Sequence, residues 1–225
     1  MTDLARLYRF RFSESDLPQK NQIWKTLCRS FFNRLIGPDE TVLDLACGYG
    51  EFVNNIRAGR KIGVDLNEDV ARFLDPEVEF KNCYANAIPI ADNSVDVAFS
   101  SNFLEHLRTK DDLDDVFREL LRVLRPGGRL ILVGPNIRYL AAQYWDFYDH
   151  YLPLSHLSLE EGLAMAGFRV DRVVARFLPY TTRSALPKAS FLIAGYVRMP
   201  FAWPFLGKQF LVIASKPPGG APAND

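Results

Sequence analysis

Asp44, Gly48, Gly50 and Glu51 fall within eight residues of one another, in the run Val-Leu-Asp-Leu-Ala-Cys-Gly-Tyr-Gly-Glu over 42–51. Val42 to Ala46 has the composition of a buried strand, and Phe52, Val53 and Ile56 begin an apolar stripe at helical spacing. A glycine turn between a strand and a helix N-terminus lets a ligand approach bare backbone N–H groups. The chemistry this suits is the cradling of a nucleotide-like cofactor. A dinucleotide turn runs Gly-x-Gly-x-x-Gly and keeps its helix N-terminus free for a pyrophosphate. Here Val53 holds the third glycine position, and Glu51 stands where phosphate oxygens would gather and repels them. The turn therefore fits a cofactor without phosphates, such as S-adenosyl-L-methionine, an adenosine carrying a sulfonium and an amino-acid end. For the two glycines alone, an ordinary strand-to-helix turn is the bland alternative.

Asp65 ends a second apolar run, Lys-Ile-Gly-Val-Asp over 61–65. Doubly wound folds present a carboxylate there, and its two oxygens can accept from the 2′ and 3′ hydroxyls of a ribose. The alternative is a helix cap, but Asn67 can supply that cap and leave Asp65 available. Of the three histidines, His106 sits in the loop Ser-Ser-Asn-Phe-Leu-Glu-His-Leu over 100–107. Imidazole titrates where a general base for a hydroxyl acceptor should. His150 and His156 are rivals beside an aromatic run over 139–151, and an ordering role for the Glu105-His106 pair is the competing reading. No Cys-x-x-Cys or His/Glu spacing indicates a metal, so none is expected.

These residues need a scaffold, and the periodicity supplies one. Ile23, Leu27, Phe31 and Leu35 mark an amphipathic helix that Gly37-Pro38 stops. Strands are expected over 41–46, 61–65, 78–82, 95–100, 129–133, 169–175 and 209–215. Helices are expected over 51–58, 68–74, 111–124 and 159–166, the last ending at Gly167 in a left-handed cap. The 111–124 helix is the clearest, with Leu113, Val116, Phe117, Leu120, Leu121 and Leu124 on one face and aspartates in its first turns. Alternation of this kind predicts an α/β, doubly wound fold with a parallel sheet of seven strands and helices on both faces.

Four segments in order, 42–51, 63–67, 88–99 and 121–134, resemble the class I S-adenosylmethionine-dependent methyltransferases, particularly their small-molecule branch. Ile-Pro-Ile-Ala-Asp-Asn-Ser-Val-Asp-Val-Ala-Phe over 88–99 is similar to the family's run into its fourth strand. Leu-Arg-Val-Leu-Arg-Pro-Gly-Gly-Arg-Leu over 121–130 is similar to its helix, Pro-Gly-Gly turn and fifth strand. The resemblance implies a Rossmann-like, mostly parallel seven-stranded sheet with an antiparallel last strand, a cofactor bound by Asp44, Ala46, Gly48, Gly50 and Asp65, and a methionine end lined by Ser100 and Asn102. It also implies an N-terminal segment folded over the cofactor, where Arg11 would pair with the cofactor carboxylate and Lys20 is a second candidate. One departure concerns adenine: the family's acidic acceptor position holds Tyr84, so the Ala85 backbone, Leu66 and Tyr84 are expected to hold the base, with Asn86 as an alternative acceptor.

Composition agrees. A chain of 225 residues, 48% hydrophobic, can bury one full core. Its net charge is zero, which gives no footprint for nucleic acid. The first twelve residues do not read as a signal peptide, and the three cysteines read as reduced thiols, so a cytoplasmic protein is expected. The expected organisation is a helical cap over 1–36, a methyltransferase domain over 37–215 and a disordered tail over 216–225. Within the domain, 177–207 is a long apolar insert interrupted by Arg198, Pro200 and Pro204, hence no membrane span. A wall or lid of the acceptor site is the leading expectation for it. A dimer contact and an interfacial surface for a lipid-linked acceptor, with peripheral membrane contact, are the alternatives. The acceptor is expected to be a small molecule or a sugar or lipid-linked glycan, methylated on oxygen. A non-catalytic cofactor-binding protein and a nicotinamide oxidoreductase are the other function classes, the second opposed by Glu51 and Val53.

Overall fold

The computed structural model describes residues 16–180 and 189–219. Apolar runs form seven strands in one sheet: β1 (Thr41–Leu45), β2 (Arg60–Asp65), β3 (Val78–Asn82), β4 (Val95–Ser101), β5 (Leu124–Pro135), β6 (Arg169–Val174) and β7 (Gln209–Ser215). Their spatial order is β3-β2-β1-β4-β5-β7-β6. The first five run parallel, and β7 is antiparallel to both β5 and β6. From β1 the chain winds outward through β2 and β3, then returns to the other side of β1 as β4. That reversal opens a crevice at the carboxyl ends of β1 and β4, the place where open α/β sheets bind ligands.

Alternation along each strand separates two cores. Leu43, Leu45, Ile62, Val64, Ala98, Leu130 and Leu132 pack under α2 (Lys110–Val123) and α4 (His156–Met165). Val42, Val97, Phe99, Ile131 and Val133 face the other way, under α1 (Leu17–Ser30) and α5 (Ser190–Val197). The second core is largely aromatic: Phe52 stacks on Phe99 with ring centroids 3.6 Å apart, and Trp24 and Phe32 meet both edge-on. Two short helices complete the set, α3 (Ile137–Leu140) and α6 (Trp203–Leu206). The start of α2 is fixed by a capping box, in which Thr109 Oγ accepts from Asp112 N–H and the Asp112 carboxylate accepts from Thr109 N–H. Its buried face carries Leu113, Val116, Phe117 and Leu120, as the spacing predicts, and also Val123; Leu121 is only partly buried, and Leu124 begins β5. Gly167 closes α4 at φ +99°.

The helix expected over 51–58 is a series of turns instead. Its apolar stripe is buried, but Asn54 and Asn55 turn their side chains to other partners, Asn54 to Phe73 O and Asp75 N and Asn55 to Asn21 and Glu51 O. Such asparagine bonds compete with a regular helix. The 68–74 helix is a 3-10 segment, Glu68–Phe73, capped by Asn67. The Pro-Gly-Gly turn lies within β5, as an irregularity between the pairs Val95–Leu124 and Val97–Arg129. Lys216, placed in the expected tail, bonds Gly127 and Gly128 through its backbone, and its ammonium donates to the Leu121 and Leu124 carbonyls. Residues 220–225, and residues 1–15 of the expected cap, lie outside the described residues.

Candidate cofactor and acceptor site

β1 ends in three consecutive demands on the backbone. Ala46, Gly48 and Gly50 all adopt positive φ, +60°, +53° and +77°. A β-carbon on Gly50 would come within 2.6 Å of Leu74 Cδ2, so the turn requires glycine there for space as well as conformation. Asp65, at the end of the neighbouring strand, holds this turn from below: its Oδ2 accepts from Gly48 N–H at 2.9 Å and its Oδ1 from Asn67 N–H at 2.8 Å. The cap of the next segment is Asn67, whose side chain accepts from Asp69 N–H. Each Asp65 oxygen therefore keeps acceptor capacity for a ribose hydroxyl.

Asp44 is buried one strand away, on the α1 side of the sheet. Val53 N–H bonds its carboxyl, yet Oδ2 has no partner among the described residues. Burial first, and then the charge of Glu51, push its carboxyl well above the usual carboxylate range. Burial likewise raises Glu51 and Asp65. Three crowded carboxyls around a bare glycine turn repel phosphate and favour a cation or a polyol. At the rim, Lys20 of α1 places its ammonium 4.0 Å from Glu51. Arg11, the first choice for that rim, lies outside the described residues. Cys47 is a filler: Gly63 makes room for its sulfur, and burial pushes its thiol far up, away from a nucleophile's range.

The adenine-side residues follow β2 and β3. Leu66 is 45% exposed and Tyr84 60% exposed, a surface area that the sheet's carboxyl end leaves uncovered, while Ala85 packs partly into the first core. Asn82 Nδ2 donates to Asp65 O and ties the two strand ends together. The following Ile-Pro-Ile segment is clamped by Arg122 of α2, which donates to the Ile88 and Ile90 carbonyls. On β4, Ser100 is buried and its hydroxyl donates to Leu45 O at 2.8 Å, so it joins β4 to β1 at the crevice. Asn102 has φ +52°, is exposed, and donates through its backbone to Val133 O.

His106 lies in the 3-10 turn Leu104–His106 just beyond β4. Its Nδ1 meets Asp149 twice, at 2.9 Å from the backbone oxygen and 3.1 Å from the carboxylate. Both partners are acceptors, so Nδ1 carries the proton and Nε2 is the nitrogen left to exchange one. Burial pulls the His106 pKa down, but the Asp149 hydrogen bond and the Glu105 and Asp149 charges outweigh it and hold the group above its ordinary value. His150 packs edge-on to His106 with centroids 5.1 Å apart, between the rings of Phe147 and Tyr144. Tyr144, from the aromatic run, is fully buried and donates to Leu152 O, whereas Trp145 and Tyr148 are exposed. Glu105, His106 and His150 bring ligand atoms within 4.8 Å of one another, a grouping that linear spacing did not display. His156 stands apart: its Nδ1 meets Asn136 Nδ2 at 2.9 Å at the start of α4, and burial and Arg138 lower its pKa. Asp149 is the residue sequence reasoning missed. Its only signal is its place beside His150, because the 43-residue separation from His106 closes only in three dimensions.

Within the insert, Phe177, Leu178, Val197 and Trp203 are buried in the second core. Trp203 is therefore no acceptor-site wall, because the aromatic cluster beneath α5 already encloses it. Phe201, two residues earlier, is 73% exposed. Residues 181–188 of the insert lie outside the described residues.

Residues 43–132 match a protein family described as "Methyltransferase domain". A ubiquinone/menaquinone biosynthesis C-methyltransferase of Escherichia coli is 31% identical over 134 residues, covering 51% of this chain and 51% of that protein. The chain spans about half the length of that curated relative. Among solved structures, a SAM-dependent methyltransferase from Archaeoglobus fulgidus superposes with a TM-score of 0.66 at 22% identity, over 96% of this chain and 100% of the other. Geranyl diphosphate C-methyltransferase from Streptomyces coelicolor gives 0.59 at 19% identity, over 84% and 79%. These two likenesses concern the fold.

Proposed function

We propose that the chain is a class I S-adenosylmethionine-dependent methyltransferase that transfers a methyl group to an oxygen of a small-molecule or lipid-linked glycan acceptor, with His106 as the base. The observation that carries the reading is the cluster of Asp44, Glu51 and Asp65 around the turn at Gly48 and Gly50. Its acids suit the ammonium and ribose of S-adenosylmethionine, and the buried Asp44 oxygen that lacks a partner is where a positive end is needed. When bound, the cofactor supplies an electrophilic methyl on a sulfonium, so the protein's task is alignment and exclusion of water.

The chain's residues divide that task. Gly48 and Gly50 allow close backbone approach, Asp65 accepts from the ribose, and Leu66 and Tyr84 offer apolar faces to the adenine beside the Ala85 backbone. Ala46, Ser100 and Asn102 border the methionine end at the crevice between β1 and β4. Lys20 complements the carboxylate end, a role Arg11 would share. His106 Nε2 takes the proton of the acceptor hydroxyl while Asp149 fixes the tautomer and steadies the imidazolium that forms. A second reading, methylation at carbon, is favoured by the name of the Escherichia coli relative. Product analysis separates the two, because an O-methyl and a C-methyl group differ in NMR shift and in lability.

Calorimetric titration tests the binding half. S-adenosylmethionine should bind and NAD should not, which also separates this reading from an oxidoreductase. Asp65→Ala should weaken donor binding by about 1.5–3 kcal/mol, the range for losing a hydrogen bond to a charged group. Because that carboxylate also holds Gly48 and Asn67, a thermal melt of the variant accompanies the titration. Unchanged affinity in a folded variant overturns the assignment. Turnover with a methyl-labelled donor across hydroxyl acceptors then separates an enzyme from a cofactor-binding protein.

A further inference from the structure

Every exposed phenylalanine among the described residues lies in one stretch of fifteen residues: Phe191, Phe201 and Phe205, 74%, 73% and 77% exposed. Leu192, Met199 and Leu206 are exposed beside them. The opposite side of the same stretch is core, where Val197 and Trp203 pack against α1 and the aromatic cluster. α5 and the turns after it are thus apolar on both sides, and only one side has a partner among the described residues. A large apolar side chain left three-quarters in water forgoes most of its available burial, and three within one segment mark an interaction surface.

The charge around the patch selects its partner. The chain balances 27 cationic against 27 acidic residues, yet 172–208 carries Arg172, Arg176, Arg183, Lys188, Arg198 and Lys208 with no aspartate or glutamate. Arg176 is built into the patch itself, donating to the Gly207 and Phe205 carbonyls, and Arg198 is exposed at the end of α5. Phenylalanine and leucine facing outward, flanked by arginine and lysine, are what an element lying in a membrane interface presents. Anionic headgroups complement the cations, and the rings and aliphatic chains enter below them. A second copy of the chain would bring like charge against like charge across a two-fold contact.

We propose that the exposed face of α5 and the turns through Leu206 is a docking surface for an anionic lipid bilayer. Its position gives the docking a consequence. Ser190, beside Phe191, accepts from Gln22 Nε2 of α1 at 3.1 Å, and α1 carries Asn21 and Lys20 onto Asn55 and Glu51 at the glycine turn. The patch therefore borders the rim of the cofactor site. If the function proposed above holds, a lipid-linked acceptor would meet the site without leaving the membrane. The docking itself does not depend on methyl transfer and is measured without cofactor.

The test is sedimentation of the full chain with vesicles of phosphatidylcholine alone and of phosphatidylcholine with phosphatidylglycerol. The protein should pellet with the anionic vesicles, and less so as salt rises. Phe191→Ser, Phe201→Ser and Phe205→Ser combined should weaken that binding roughly tenfold or more, with an unchanged melting temperature because none of the three rings is in the core. Arg198→Glu should weaken it at low salt and less at high salt. A wild-type protein that stays in the supernatant with anionic vesicles overturns the proposal. So does a triple variant that pellets as before. Self-association that the triple variant abolishes, without vesicle binding, also overturns it and assigns the face to a second copy.

Discussion

His106→Ala is expected to lower kcat by about 10²–10⁴-fold, the contribution of a positioned general base, while affinity for the methyl donor stays near wild type. His106 lies beyond β4, whereas Asp44, Asp65 and Glu51 lie on β1, on β2 and in the glycine turn, so the two properties should separate. The pH profile gives a sharper reading. Proton acceptance requires His106 neutral at Nε2, and the Asp149 and Glu105 charges hold its pKa above the ordinary imidazole value. The rate should therefore rise with pH through that elevated value and fall on its acid side. Asp149→Asn removes the charge that favours the imidazolium, so the acid limb should move to lower pH. His106→Gln is the control for structure, since its amide can still donate to the Asp149 backbone oxygen. Full activity in His106→Gln, with an acid limb that Asp149→Asn leaves in place, would show that the imidazole only orders the loop.

Trp203→Ala should cost about 3–5 kcal/mol of stability, as expected for removing a large aromatic side chain from a packed core. The indole is 3% exposed, meets Phe31 and Phe177 edge-on, and donates from Nε1 to Tyr196 O at 3.0 Å. Its loss leaves a cavity and removes one of the donors to Tyr196 O, which Met199 N–H still reaches at 3.0 Å. Domains are stable by only about 5–15 kcal/mol, so the urea midpoint should fall far, and expression at growth temperature should suffer. Phe201→Ala, at a site in water, should stay within about 0.5 kcal/mol of wild type. The contrast is informative because the two residues stand two apart in one apolar insert. An unchanged midpoint in Trp203→Ala would mean that the insert does not pack on the aromatic core.

By itself the sequence determined the architecture and the residues gathered around the glycine turn. Strand alternation, the buried face of α2 and the glycine turn are local patterns, set by side-chain period and by φ, and they survive in three dimensions because nothing distant competes with them. Asp44, Gly48, Gly50 and Asp65 were legible for the same reason: each sits at a fixed offset from a strand end. The segment after Glu51 was misread because its period counts apolar positions and not the partners of Asn54 and Asn55, which come from residues 73, 75 and 21. Tertiary structure alone decided three further matters. It paired His106 with Asp149 across 43 residues, a contact made by the return of the chain after β5. It split the insert into Trp203 inside and Phe201 outside, which composition could not do because both are aromatic in an irregular run without a period. It also left Asp44 Oδ2 buried without a partner among the described residues, since the charge balance of an interior depends on which strands lie side by side.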